Sequence, residues 1–431
     1  MIESSAPPKI SGKEVDWIYG DYLMQNDQIS LVIAAPLSTR DANLTIRNVG
    51  ASILDLTLQF PSNDQLSAYL PTAGRYLFQD PSKVETGRDG DAVFWQCRSS
   101  KSLARDGTTA TVRYELCDGN PFVKSTVWIE GDATSNIKGF DGVRADGWFS
   151  LKNSGSVAYC TDSFHRQTIG FQCPGSRQPP TWKQGRPNQL CYGDEHLEQS
   201  EGKIGWTVSL YPATSPIDLL SATETAGQSA GMYAFEVATN APKNEGVQSV
   251  DRAQIVLRSV EQLDGGTPEQ ATLQTDDQGI AHARLVPGKY VAIASAIGYE
   301  QCEVSFESQE GGGTVTLPLS RPSGFTAEVS DGNGDPIPVK VTIYSMDGDH
   351  PKFGPSSART FVENCVYSVH GRLHCPLDPG SYELYFSHGP EYDRVKKEIE
   401  IVAQTMSPIT VQLDRVVDTT GWVSTELHSH S

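Results

Sequence analysis

The chain has 431 residues, with 34 Lys and Arg against 53 Asp and Glu, so its formal charge is −19. Its length suggests about three domains, and so acidic a chain repels phosphate backbones, which argues against general binding to nucleic acid or anionic membrane. With 38% hydrophobic and 20% charged residues, 39 Gly and 26 Pro, the composition favours many short strands over long charged helices, and no apolar run is long enough to span a bilayer.

Residues 1–12 are polar and Pro-containing and read as a flexible arm. The stretch MIESSAPPKISGKE has no apolar segment of the signal-peptide kind. From 13 to 213 strand follows strand: ISLVIAAP (29–36), NLTIRNVGASILDLTL (43–58), DAVFWQCRSS (91–100), TATVRYELCD (109–118) and PFVKSTVWIEG (121–131) alternate or are rich in β-branched residues. Turn signals at Asn26-Asp27, Arg88-Asp89-Gly90 and Asp118-Gly119-Asn120 separate them. The expectation is one large β-sandwich, with the Pro-, Gly- and Gln-rich stretch 160–200 as a long excursion on it. Residues 214–231 read as a linker, within which LLSATETA could form a short helix.

Beyond the linker the chain repeats itself. GIAHARLVPGKYVAIAS (279–295) aligns without a gap on GRLHCPLDPGSYELYFS (371–387), pairing Gly279 with Gly371, His282 with His374, Pro287 with Pro379 and Tyr290 with Tyr382. The 92-residue offset is the size of one small sandwich, and Pro-Gly supplies the fixed and the positive φ of a tight turn in each copy. This half-repeat resembles the carboxypeptidase regulatory-like family of transthyretin-like sandwiches. The second copy also carries that family's opening in GFTAEVSDGNGDPIPVKVTIYS (324–345), and AQIVLRSV (253–260) reads as the matching strand of the first. The resemblance implies non-catalytic modules at 232–320 and 321–414. The expected fold class is all-β: a large N-terminal sandwich, two small transthyretin- or Ig-like sandwiches, and a C-terminal stub at 415–431.

The stub carries the motif closest to chemistry. In GWVSTELHSHS, a strand-like WVSTEL runs into His428-Ser429-His430, and positions i and i+2 of a strand share a face, so both imidazoles can converge on one metal. The string DRVVDTTGWVSTELHSHS (414–431) resembles the junction into PHP-type metallohydrolases of the CehA/McbA kind. SYELYFSHGPEYDRVKKEIEI (381–401) is similar to the segment that leads into such catalytic domains, and GDYLMQNDQISLVIAAP (20–36) with DANLTIRNVGASILDLT (41–57) is similar to their N-terminal β-domain. The resemblance implies that His428 and His430 are the first ligands of a divalent metal centre (Zn, Mn or Fe) that activates water for hydrolysis, and that the first strand of a (β/α) barrel begins here. The remaining ligands of that family lie on later strands, so the expectation is the non-catalytic part of a larger enzyme whose catalytic domain is the missing partner.

Other residues carry weaker signals. His165 in TDSFHRQ and Glu195 in GDEHLEQ could serve mutarotase-like acid/base chemistry, against the plainer reading of polar loop residues. Among the tryptophans of the first domain, Trp182 in QPPTWKQG reads as the exposed one and a candidate carbohydrate contact. Asp331, Asp335, Asp347 and Asp349 read as turn chemistry rather than a Ca²⁺ loop. Of eight cysteines, Cys365 and Cys375 flank VYSVHGRLH, whose His370-Gly371 reads as a hairpin turn that would place them within reach of a disulfide; two half-buried thiols are the alternative. The cysteine count and the β-module style lean the reading towards an extracytoplasmic location. The leading functional expectation is therefore an accessory region of a metal-dependent hydrolase, positioning its catalytic domain and binding carbohydrate or a surface. The rivals are a stand-alone β-modular adhesion protein and a sugar-active enzyme in the first domain.

Overall fold

The computed structural model describes residues 1–42, 46–103, 107–131, 137–145, 150–162, 165–224, 231–239, 248–260, 270–353, 363–423 and 425. The all-β expectation holds. The first domain is two facing sheets. One has seven strands, in the order Tyr22–Gln25, Ile29–Ile33, Ile53–Leu58, Leu66–Leu70, Phe140–Ala145, Asn188–Cys191 and Thr181–Lys183. The other has nine, running Ser150–Ser154, Val157–Asp162, Gln167–Gln172, Lys203–Ala213, Val123–Glu130, Thr109–Cys117, Ala92–Arg98 and Val84–Asp89, with Leu197–Ser200 also paired to Lys203–Ala213. Side chains alternate across each strand. In Thr109–Cys117, Ala110, Val112, Tyr114 and Leu116 are buried while the residues between them are half exposed. Trp95, Trp206, Tyr69, Tyr114 and Phe171 are the largest fully buried side chains of this core.

One carboxylate sits inside it. Asp141 has no exposure and accepts hydrogen bonds from Tyr69 Oη (2.7 Å), Tyr192 Oη (2.7 Å), Trp206 Nε1 (3.0 Å) and the Thr72 backbone N–H (2.8 Å). Tyr69 and Asp141 belong to the seven-stranded sheet and Trp206 to the nine-stranded one, so the cluster bolts the two layers together. Burial pushes the Asp141 carboxyl above the ordinary range, and its four donors oppose that rise.

Two expectations for this domain are corrected. The stretch 160–200 is no excursion: Gln167–Gln172 pairs with Lys203–Ala213 in the nine-stranded sheet, and Asn188–Cys191 with Phe140–Ala145 in the seven-stranded one. Its prolines and most of its glycines lie in turns between short strands whose pairing overrides their weak local preference. The arm is mostly exposed but pinned at both ends. Ile2 is 4% exposed, its N–H donates to Asp21 O (2.7 Å), and Gly12 forms a parallel bridge to Asp64. At φ +140°, a Cβ on Gly12 would lie 2.1 Å from Asp64 O, so no other residue fits. Within the linker the short helix that LLSATETA allowed forms at Pro216–Glu224, wedged between the sandwich and the first small module. Its Asp218 is fully buried and holds Arg284 Nε at 2.7 Å and the Arg284 N–H at 3.0 Å, a charge pair that joins the domains.

The repeat reappears as two copies of one topology. The first module sets a sheet of Ile280–Leu285, Gly231–Thr239 and Gly313–Leu319 against one of Gln270–Gln274, Gln254–Ser259, Gly288–Ser295 and Cys302–Ser308. The second sets Arg372–Pro376, Gly324–Asp331 and Met406–Leu413 against Cys365–Ser368, Val339–Ser345, Gly380–Ser387 and Val395–Ile401. In both, the first and last strands pair in parallel. The opening strand 324–331 is thus matched by 231–239, and AQIVLRSV matches VKVTIYS instead. His282 and His374 face Ala234 and Thr326 at equivalent rungs. Asp331 Oδ1 accepts from the N–H groups of Asn333 and Asp335, which is turn chemistry. The modules meet where Gly298 N–H donates to Asp378 Oδ1 at 2.8 Å.

The proposed Cys365–Cys375 hairpin is not one. Cys365–Ser368 pairs with Val339–Ser345, whereas Arg372–Pro376 pairs with Gly324–Asp331, so the turn at Gly371 carries the chain from one sheet to the other. All eight cysteines are free thiols. Cys375 lies in the module core, where burial pushes its thiol up to about 12, while Cys365 Sγ meets Thr342 Oγ1 at 3.4 Å.

Replacing Asp141 by Ala would leave two tyrosine hydroxyls and an indole N–H buried without their acceptor. The expected cost is about 3–5 kcal/mol, read by calorimetry as a lowered transition of the large sandwich; an unchanged transition would deny Asp141 its bridging role.

Candidate functional site

The residues that the parity of the core drives outward build a cleft. With Val123, Val127 and Ile129 buried, Lys124, Thr126 and Trp128 fall on the opposite face of their strand. Register places them beside Glu115, Arg113 and Thr111 on one side and Ser209, Thr207 and Gly205 on the other. Gly205 makes room for Trp128: a Cβ there would lie 2.8 Å from the indole Cδ1. The segment 173–198 supplies the second wall through Cys173, Pro174, Ser176, Glu195, His196 and Glu198. The cleft is open to solvent and has a volume of ≈ 560 Å³, within the range of small-molecule sites.

The cations in this cleft are already paired. Arg113 Nη2 lies 3.0 Å from Asp89 Oδ2 and 3.1 Å from Glu115 Oε1, and its guanidinium stacks 4.0 Å from the Phe94 ring centre. Lys124 Nζ lies 3.6 Å from Glu115 Oε2. Glu195 and Glu198 add two carboxylates, so the lining carries Asp89, Glu115, Glu195 and Glu198 against Arg113 and Lys124. A sulfated or carboxylated ligand would meet net negative charge here. A neutral, hydroxyl-rich ligand would meet an indole and many fixed donors and acceptors.

The residues singled out from sequence fare differently. Glu195 stands on the cleft wall with its side chain 54% exposed. His165 is elsewhere: it precedes strand Gln167–Gln172, whereas the cleft touches Cys173 just after that strand, about 25 Å away at ~3.3 Å per residue. His165 is bound by Asp162, whose Oδ1 accepts its N–H (2.8 Å) and whose Oδ2 meets Nδ1 (2.9 Å). The two do not form an acid/base pair. The histidine beside Glu195 is His196, which in GDEHLEQ reads from sequence as a polar loop residue. Its Nδ1 accepts the Gly193 N–H at 3.2 Å, which puts the proton on Nε2, facing Gln178 O (3.0 Å) and Ser176 Oγ (3.1 Å). Glu195 Oε1, 3.8 Å from Nδ1, therefore meets no proton, and His196 is a fixed strut of the wall.

Trp182 is not an open platform. It packs edge-on against Phe171 at 5.6 Å and donates Nε1–H to Lys152 O at 3.1 Å. Trp128 is the indole on the cleft lining, half-buried and with Lys203 Nζ 5.2 Å from its ring centre; the alternation Val127-Trp128-Ile129 was the signal for it. His428 and His430 lie outside the described residues. Among the described residues no three His, Cys, Asp or Glu side chains gather as a metal site, and no helix is long and apolar enough to cross a membrane. The segment leading to the histidines is anchored: Glu391 holds Arg415 Nη2 at 2.7 Å and the Thr419 hydroxyl at 2.7 Å, and its carbonyl accepts the Val416 N–H. Beyond that clamp Trp422 and Val423, outside any strand, are 84% and 89% exposed.

No known family and no curated protein matches the chain. Solved structures do. The Bacillus anthracis TIE protein is 13% identical over 77% of this chain, with a TM-score of 0.20. GBS52, the minor pilin of Streptococcus agalactiae, is 15% identical over 46% of this chain and all of its own, with a TM-score of 0.20. A mutant of heparan sulfate lyase HepC from Pedobacter heparinus is 9% identical over 70% of this chain, with a TM-score of 0.29. The chain spans 56% of the TIE protein and 43% of the lyase. Likenesses this distant say nothing of its function.

Titration with neutral oligosaccharides is expected to quench Trp128 fluorescence, and Trp128→Ala to weaken binding at least tenfold, about 1.4 kcal/mol. Heparin-like polymers are expected not to bind. Retained affinity in Trp128→Ala, or preference for sulfated chains, would refute the assignment.

Proposed function

We propose that this chain is the non-catalytic accessory region of a PHP-type metal-dependent hydrolase, which positions a catalytic domain and holds a neutral saccharide in the Trp128 cleft. The observation that carries the reading is the outward row Lys124, Thr126 and Trp128 with Arg113 and Glu115, whose cations are neutralised by neighbouring carboxylates. Such a surface favours ligands recognised by hydroxyl hydrogen bonds and ring stacking over ligands recognised by charge.

The positioning role rests on the junctions. Asp218 with Arg284 joins the sandwich to the first module, Asp378 with Gly298 joins the modules, and Glu391 with Arg415 and Thr419 fixes the segment that resembles the entry to the catalytic domain. The small sandwiches are read, by their repeat, as carboxypeptidase regulatory-like modules acting as spacers. His428 and His430 would supply the first two ligands of a divalent metal centre completed by side chains of that catalytic domain.

Purified 1–431 with Zn²⁺, Mn²⁺ or Fe²⁺ is expected to show no phosphoesterase or esterase turnover. Metal-dependent turnover that disappears in His428→Ala would overturn the proposal.

A further inference from the structure

The cleft is longer than a single sugar fills. Its lining runs from Asp89, on the edge strand Val84–Asp89, to Glu198, on strand Leu197–Ser200. These two strands bound a row of six neighbours, with Ala92–Arg98, Thr109–Cys117, Val123–Glu130 and Lys203–Ala213 between them. Five strand spacings of ~4.8 Å set the two ends roughly 24 Å apart. A volume of ≈ 560 Å³ drawn out over that length is a trough.

Register shows what the floor of the trough offers. One rung of the sheet pairs Glu85 with Gln96, Gln96 with Arg113, Arg113 with Thr126 and Thr126 with Thr207. Trp95, Val112, Val127 and Trp206, each next in sequence to a member of that rung, are buried in the core, so the rung faces outward. Arg113, Thr126 and Thr207 line the cleft, and Gln96 and Glu85 carry the same line on to the sheet edge, where Glu85 and the residues after it are exposed. The continuation is held in place: Gln96 Nε2 donates to Glu85 Oε2 at 2.7 Å, which fixes the amide and leaves its carbonyl oxygen to accept from a hydroxyl. The adjoining rung pairs Arg98 with Thr111, Thr111 with Trp128 and Trp128 with Gly205. A stacking ring and a line of hydrogen-bonding side chains thus run side by side across the strands.

We propose that the ligand of this trough is a linear neutral polysaccharide lying across the strands, with one ring on Trp128 and the following rings hydrogen-bonded along the rung as far as Gln96 and Glu85. The inference rests on the reading of the Trp128 cleft as a saccharide site, and adds that the site recognises a run of linked sugars. Polar side chains on an outer sheet face are ordinarily a solvated surface. This row differs in being continuous with the floor of a walled cleft and in having its cation, Arg113, engaged by Asp89 and Glu115, so that it offers hydrogen bonds without a free positive charge. Once one ring is held, each linked ring meets its part of the rung as an intramolecular step, so affinity grows with chain length until the trough is full.

The test is calorimetric titration of the unaltered chain with cello-, manno-, xylo- and malto-oligosaccharides of increasing length. In the series that binds, affinity is expected to rise at least tenfold from disaccharide to hexasaccharide. Gln96→Ala is expected to lower hexasaccharide affinity at least threefold and to leave disaccharide affinity unchanged, which also shows that the variant is folded. Trp128→Ala is expected to weaken both. A hexasaccharide bound no more tightly than the disaccharide would overturn the inference and leave the saccharide cleft standing. So would a rise with length that Gln96→Ala does not reduce, since the many registers open to a long chain produce that by themselves. Failure of every series to bind, or binding that Trp128→Ala does not weaken, would remove the reading of the cleft and the inference with it.

Discussion

The buried Asp141 carboxylate is the constraint on which the rest of the first domain turns. By accepting from Trp206 across the sandwich it fixes which side of strand Lys203–Ala213 faces inward. A strand has only two faces, so this one anchor also fixes that Gly205 and Thr207 face out. Pairing then transmits the parity to Thr126 and Trp128, and from them to Arg113 and Thr111. A slip of one residue would turn the cleft's indole into the core and Val127 into water. The site is thus set from behind, by a carboxylate that no ligand in the cleft would touch.

The same economy governs the chain's length. Each boundary between folded units carries a short-range polar lock beside its apolar contacts: Asp218 on Arg284, Asp378 on the Gly298 amide, Glu391 on Arg415 and Thr419. The first of these is buried, where an unpaired charge is costly, so it resists opening more than an exposed pair would.

Much of the architecture was legible because it rests on local periodicity. Strands such as Thr109–Cys117 alternate cleanly, and the Gly-Leu-Pro-Gly-Tyr spacing of the repeat marks the same turn twice. What escaped was set by distant partners. Asp141 is one acid in Gly139-Phe140-Asp141-Gly142, and nothing near it in sequence announces three ring donors drawn from Tyr69, Tyr192 and Trp206. The segment 173–200 looked like loop because its strands are short and its turns Pro- and Gly-rich, so His196 and Glu195 could not be placed on a wall. Cys365 and Cys375 were misjudged for a related reason: a turn glycine at 371 serves a crossing between sheets as well as it serves a hairpin.

The central claim is that this region serves a catalytic domain beyond it, and the intact mass of the protein made by its native cell tests that most directly. The account predicts a mass well above the 46.9 kDa of these 431 residues, with sequence running on past Ser431 into a metal-binding domain. A native mass of 46.9 kDa would contradict it and leave a β-modular binding protein whose two terminal histidines serve no metal centre.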